Sequence, residues 1–391
     1  MQWLKLGVVD IQAAKKLISE NFTQDRAERE KAFSLYVSKP YQIIHDSPTI
    51  KHYTEWNLYD SLNLNSISKQ EVTYSESVRD NAVEIDNDSI IVKKGGVLID
   101  DSIKDDVTSS DEHKLVSLAF SLSRRIVIDS EGEYYIRHVI NRNMHFSPSH
   151  VIVNVPKNKQ IKLVYEISNL GENSLVSPII SINVEEGSSL DFQFISLSGD
   201  NSLLFSYIKA NIKGTMRSSL FVNGNKMGHV QFNTRLEENS VSEFSSRAFG
   251  VHNNKIDVVN NIIHLGGKST SNGFMKAISN DQAFTVVRGV ATIDEIATNS
   301  STSIIGRSLV LGKEAKAVVS PMLEVKTGRV LMAKHSAAIS RIDENQIFYL
   351  QTRGLSRKEA EGIIVRGFII EEQDPETLKS RIEDILKSLG Y

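Results

Sequence analysis

The chain has 391 residues, 40% apolar and 24% charged, with a formal net charge of −3 and a pI near 6.4. That near-neutral balance provides no general attraction to nucleic acid or to an anionic membrane. There is no cysteine. This excludes disulfides, a cysteine nucleophile, and any zinc or iron–sulfur site held by the chain's own thiolates.

The length suits one large domain or two to three smaller ones. The opening MQWLKLGVVDIQ does not read as a secretion signal, because Asp10 ends its apolar run early. No run approaches the roughly 20 apolar residues a membrane-spanning helix needs. The cytoplasm is the expected location.

Residues 1–80 read as a helical region. Asp10 can cap a helix whose Ile11, Ala14, Leu17 and Ile18 share one face. The charged segment TQDRAEREKAFSLYV brings Phe33, Tyr36 and Val37 to one side, and Lys39-Pro40 ends it, since proline has no amide hydrogen to donate. Tyr41 to about Ser66 is irregular and rich in Tyr, His and Asn.

From about residue 82 to 333 the texture shifts to Val, Ile, Ser, Asn and Gly. Val151, Val153 and Val155 alternate, as do Ile180, Ile182 and Val184, and then Leu190, Phe192 and Phe194. Period two marks strands with one face inward. Similar short turns separate them: PKNKQ after Val155, EEGSS after Val184, EENS after Leu236, SNDQ after Ile278. Short strands with look-alike turns fit either a β-sandwich or a stacked solenoid. The uneven turn spacing leaves that choice open. No long helical pattern interrupts the region, which argues against an alternating α/β sheet.

The tail is helical and well punctuated. Asp343 with Gln346 forms one capping box, flanked by Ile342 and Ile347 as a hydrophobic staple. Gly354 can supply a left-handed stop, and Ser356 with Glu359 forms a second box. Asp374-Pro375 opens a third helix with proline at its first position, followed by the apolar stripe Leu378, Ile382, Ile385 and Leu389.

Four features carry candidate chemistry. GGKST at 266–270 resembles the end of a phosphate-binding loop, but Ile262 stands where the first glycine belongs and a turn signal follows, so a β-turn is expected. His138, His145 and His150 could bind a metal, but their irregular spacing and lack of an acidic neighbour favour histidines satisfied by hydrogen bonds. Glu185, Glu186, Glu237 and Glu238 sit in similar turns, where solvated charges are commoner than catalytic acids. His335 lies between the last strand-like stretch, VLMA, and the first helix of the tail. Taken alone, a single histidine there is more often structural.

The run KHSAAISRIDENQIFYLQTRGLSRKEAEGIIVRGF (334–368) resembles the C-terminal signature shared by SufB and SufD, scaffold subunits of the SUF iron–sulfur cluster assembly system. SHVIVNVPKNKQIKL (149–163) and SPIISINVEEGSSLDF (177–192) are similar to the body of that family, and NNIIHLGGKSTS (260–271) less so. EREKAFSLY and KHYTEW match only loosely.

The resemblance implies a mainly β chain: a right-handed parallel β-helix core over 81–335, an N-terminal helical region over 1–80 and a small C-terminal helical domain over 336–391. It implies a non-catalytic scaffold that pairs with a SufB-like paralogue through the β-helix and docks a SufC-like ABC-type ATPase on the tail. Phe348, Tyr349, Arg353 and Gly354 are the implied docking residues, and His335 the implied iron or cluster ligand at the subunit seam. The resemblance also implies that no cofactor is held alone, that a transient iron–sulfur cluster is shared with the partner, and that a homodimer is open to the chain when the partner is missing. The chain departs from the SufB pattern, with Lys334 and Ser336 where acidic residues flank the histidine, and with no cysteine to accept sulfur. Thiolate is the usual cluster ligand, so the resemblance points to SufD. The other readings are a carbohydrate-active β-helix enzyme and a homodimeric binding scaffold without cluster chemistry.

Overall fold

The computed structural model describes residues 7–41, 53–75, 81–93 and 96–391. Residues 42–52, the first part of the irregular stretch after Tyr41 together with Lys51 and His52 of KHYTEW, lie outside them.

From the strand His145–Val155 to the strand Met332–Arg341, the chain alternates strand by strand between a ten-stranded and an eleven-stranded sheet. Each of these strands except the last two pairs in parallel with the strands two before and two after it. Adjacent sandwich strands run antiparallel, so the fold is a parallel β-solenoid, as the resemblance implied. Its turns are unequal: Leu203 faces Met227, 24 positions on, whereas Phe284 faces Lys316, 32 positions on. That drift hides the repeat from any fixed-period reading.

Two columns of turns make this winding possible. In one, Asn158, Gly187, Asn239, Lys268 and Asn299 all have φ between 56° and 72°. In the other, Met144, Asn173, Asn225, His252 and Asp281 have φ between 49° and 75°. Asparagine recurs, and Gly187 stands with it, because both reach the left-handed region at low cost. The look-alike turns after Val155, Val184 and Leu236 belong to the first column, and SNDQ to the second.

In-register pairing puts side chains of like parity on one face. The three alternating triplets read from the sequence all point inward and are under 2% exposed. Tyr165 stacks on Phe194 with ring centroids 5.9 Å apart. At Gly273 a Cβ would meet the Phe244 ring at 1.9 Å, so only glycine leaves that ring its place.

Helices cover the outer faces. On one side are α1 (Ile11–Asn21), α2 (Arg26–Ser38), α3 (Trp56–Asp60) and α4 (Lys114–Leu122). The Asp10 carboxylate accepts from the Ala13 amide at 2.7 Å, capping α1. Phe33 and Tyr36 are buried as expected, whereas Val37 is exposed. This layer packs on Phe146, Leu175, Ile179, Leu203 and Phe205, the outer face of the ten-stranded sheet. The helix α4 corrects the reading of an uninterrupted β texture after residue 82. It is buried from Leu115 to Leu122, so it lacks the amphipathic stripe that marks a surface helix. Strands also begin before residue 81, at Ser66–Ile67 and Glu71–Ser75.

On the other side, α6 (Arg357–Ile369) and α7 (Glu376–Ser388) bury Val365, Ile369, Leu378, Ile382 and Leu386. They pack against Ile195, Phe221, Phe249, Ile278 and Leu309 of the eleven-stranded sheet. Ion pairs pin this unit down. Arg247, fully buried, donates to Asp374 at 2.7 Å and lies 3.4 Å from Glu371, which Lys276 reaches at 2.8 Å. Arg381 reaches Glu166 at 2.9 Å. Pro375 takes the N-cap place rather than the first helical position, and Asp374 is spent on Arg247 rather than on a cap.

Removing one partner of a buried ion pair strands the other charge, at about 3–5 kcal/mol. Asp374→Ala is expected at the low end, about 3 kcal/mol, because Glu371 stays near Arg247. Urea unfolding and limited proteolysis at the α6–α7 loop read the loss. An unchanged midpoint with intact protection of that loop would show that the pair does not hold the helices to the solenoid.

Candidate functional site

The two ends of the solenoid differ. At the N-terminal end the sheets finish in short strands that include antiparallel pairs, Val97–Ile99 on Arg125–Ile128 and Asn81–Ile85 on Ser89–Lys93. At the C-terminal end they finish in two full ten-residue strands, Lys316–Val325 and Met332–Arg341. Among the described residues neither has a neighbour on its outer edge, so each presents a row of open backbone donors and acceptors. Val325, Leu331, Met332 and Ile339 are exposed there. The last rung is thus an uncapped cross-section of the core.

His335 sits in the middle of Met332–Arg341, and that strand continues to Arg341 before α5 (Glu344–Gln351) begins. The sequence had suggested a junction between strand and helix at this histidine. The register pairs His335 with Ile304, a core residue, so His335 faces the solenoid interior at its open end. Its Nδ1 lies 2.9 Å from the carbonyl oxygen of Pro321 on the terminal strand of the opposite sheet. The ring is exposed, and Nε2 has no partner among the described residues. A neutral imidazole with an open Nε2 is chemically fit to give iron one ligand. Among the described residues no group of three or more His, Asp or Glu could hold a metal.

The tail presents a second surface. Phe348 is 68% and Tyr349 57% exposed, and Arg353 donates to the Tyr349 hydroxyl at 3.2 Å. Gly354 has φ 92°, the left-handed stop expected of it. Tyr349 also lines a shallow cavity of about 450 Å³ with Asn345, Gln346, Leu350 and Ile364. Arg357 grips Glu344 through two bonds of 2.7 and 2.8 Å, joining α5 to α6. The Ser356–Glu359 box forms. Asp343 caps α5 by accepting from the Asn345 amide, and its box with Gln346 does not form.

The other candidates serve the fold. GGKST makes a turn with Lys268 in the left-handed region and runs into a strand at Thr270, not into a phosphate-binding helix. His138 bonds Tyr165 and Ser147 at 2.8 and 2.7 Å, and His145 bonds Ser66 and the Asn87 carbonyl. His150 meets Asp105 at 2.7 Å, an acidic partner invisible in the local sequence. Burial pushes the Asp105 carboxyl up, but bonds from His150, Ser181 and Thr108 outweigh it and leave it lowered. Glu185 pairs with Lys213 and Glu186 with Lys157 on exposed turns.

Sequence reasoning missed a Thr54–His229–Asp257 constellation. Thr54 Oγ1 lies 2.8 Å from His229 Nδ1 and donates to Asp257 at 2.7 Å, while Arg288 holds Asp257 through two bonds. It resembles nucleophile machinery, but its members are at most 5% exposed. It seats residue 54 on the outer face of the solenoid. No sequence motif could have joined positions 175 to 203 apart.

The family model described as "SUF system FeS cluster assembly, SufBD core domain" matches residues 138–368, more than half of the chain. The chain therefore belongs to the SufBD core family. Within it the chain is SufD-like. It is 29% identical over 196 residues to "Iron-sulfur cluster assembly protein SufD" of Escherichia coli (strain K12), covering 49% of this chain and 46% of that protein. It is 21% identical over 337 residues to the SufD of Bacillus subtilis (strain 168), covering 81% and 76%. It is 34% identical over 130 residues to the SufBD family protein ycf24 of Galdieria sulphuraria, covering 33% and 58%. The matched stretch thus spans less than half the length of the Escherichia coli protein. Among the described residues no helix is long and apolar enough to cross a membrane.

Burial lowers His138 to about 3, so it stays neutral in the fold. The unfolded chain takes up that proton near pH 6.5, so between these values the unfolded state binds more protons. The contribution is full above about pH 6.5 and is lost as pH falls, at about 1.4 kcal/mol per pH unit. Urea titrations over this window are expected to show a steeper loss for the wild type than for His138→Asn. Parallel curves would show that His138 is not held neutral.

Proposed function

We propose that this chain is a SufD-like scaffold of iron–sulfur cluster assembly without a turnover of its own. It pairs with a cysteine-bearing, SufB-like paralogue through its terminal rung and docks a SufC-like ABC-type ATPase on α5 and the start of α6. The observation that carries this reading is His335 facing inward at the uncapped end of the solenoid. A second solenoid end laid against it can continue both sheets by strand addition, covering Val325, Leu331 and Ile339 and closing the open backbone edges. His335 then lies at the seam, where the cluster, as cargo, takes one imidazole from this chain and thiolate from the partner.

Phe348 and Tyr349 supply a rigid aromatic patch of the kind that dominates interface energetics. They stand on the unit that Arg247, Lys276 and Arg381 fasten to the solenoid. Motion of a docked ATPase therefore acts on the scaffold through ion pairs as well as apolar packing. A homodimer is the natural state without the paralogue, because an open edge can pair with its own copy.

The test is co-expression with a SufB-like and a SufC-like chain. Phe348→Asp with Tyr349→Ala is expected to lose the ATPase and keep the paralogue. Ile339→Asp with Leu331→Asp is expected to do the reverse. His335→Ala should leave the assembly intact by native mass spectrometry and cut cluster formation at least tenfold. Full cluster formation by His335→Ala would remove the ligand role, and failure to co-purify with either chain would remove the scaffold reading.

A further inference from the structure

We infer that the Pro321 carbonyl fixes the tautomer of His335, so that Nε2 is its ligand atom, and that Gly306 is the positioning residue that keeps this bond in place. The inference rests on the ligand role proposed for His335 and adds which nitrogen serves and what holds it.

A carbonyl oxygen only accepts, so the His335 nitrogen 2.9 Å from Pro321 O must carry a hydrogen. In the neutral ring that places the proton on Nδ1 and the lone pair on Nε2. The preference runs against the usual one for free histidine, which favours the proton on Nε2, so the bond has to be held by the fold. A second partner on the far ring nitrogen is the general way proteins orient a metal-binding histidine.

The bond joins the terminal strands of the two sheets, so its length depends on how closely they approach. Gly306 sets that approach. It faces the interior one rung below, next to Ala337 in the register and two residues after Ile304. A Cβ at Gly306 would meet Val319 Cγ1 at 2.2 Å and Pro321 Cδ at 3.7 Å. Any side chain there drives Val319 outward and carries Pro321 with it, since both lie on one strand. Gly306 has no left-handed φ, so its need for glycine is one of space. Pro321 is itself buried, which anchors the acceptor while the histidine it holds is exposed.

The test reads the tautomer directly on the full chain, without metal or partner. Histidines are labelled with ¹⁵N, and long-range ¹H–¹⁵N correlations are recorded in mildly alkaline buffer. The His335 signals are identified by their loss in His335→Gln. Wild type is expected to show the Nδ1–H pattern. Gly306→Ala is expected to lose it, and Gly306→Ala with Val319→Ala, which removes the colliding methyl groups, to regain it. The double variant also covers the case in which Gly306→Ala alone fails to fold. A wild-type Nε2–H pattern overturns the inference, and an unchanged pattern in folded Gly306→Ala overturns the role of Gly306. Neither readout depends on cluster formation, so failure of the scaffold reading is distinguishable from failure of this one.

Discussion

The parallel, in-register ladder is the constraint on which the rest depends. In a solenoid the backbone groups of each rung are satisfied by the rungs on either side, and only neighbouring rungs touch. This permits rungs of 24 and 32 residues in one stack, because excess chain leaves through the turn columns without disturbing the strands. It also means that the first and last rungs cannot be satisfied from within the stack. Everything distinctive about the molecule lies at those ends or on the faces the helices cover.

The two ends meet this constraint in opposite ways. The N-terminal end turns some strands antiparallel and shortens them, which blunts an edge. The C-terminal end keeps two strands at full length, with apolar side chains exposed beside them. Even the interior small residues there, such as Gly306, leave room for cross-sheet approach. The helices do not relieve the open end, since α6 and α7 lie on an outer face of the stack. On the proposed reading, this end, open among the described residues, is the surface that pairs with another chain.

Legibility followed the range of the interactions. Period-two triplets, the Asp10 cap, the Ser356–Glu359 box and the Gly354 stop rest on neighbours within a few residues, and each was readable. Solenoid and sandwich share those local signals, so the choice needed the tail signature or the register. The helix α4 was missed because burial on all sides erases its polar stripe. Arg247–Asp374 and Thr54–His229–Asp257 were invisible because they join positions 127 to 203 apart. At the candidate site the sequence supplied His335 as a name in a motif. It could not show that this histidine faces inward, or that Pro321 holds it from the opposite sheet.

The missing cysteine gives the open end its meaning on the proposed reading. The chain has no thiolate, and among the described residues no group of three or more His, Asp or Glu could hold a metal, so on that reading a second chain completes the ligand set. Cargo binding and pairing are then linked: whatever strengthens the seam raises affinity for the cluster, and a cluster in place strengthens the seam by the same factor. The linkage would also give the proposed ATPase on α5 and α6 a means of control that needs no contact with the cluster. On that reading, strain passed through Asp374, Arg247 and the outer face of the eleven-stranded sheet would reach the sheet whose last strand carries His335. A change at that strand alters the seam and the ligand set together.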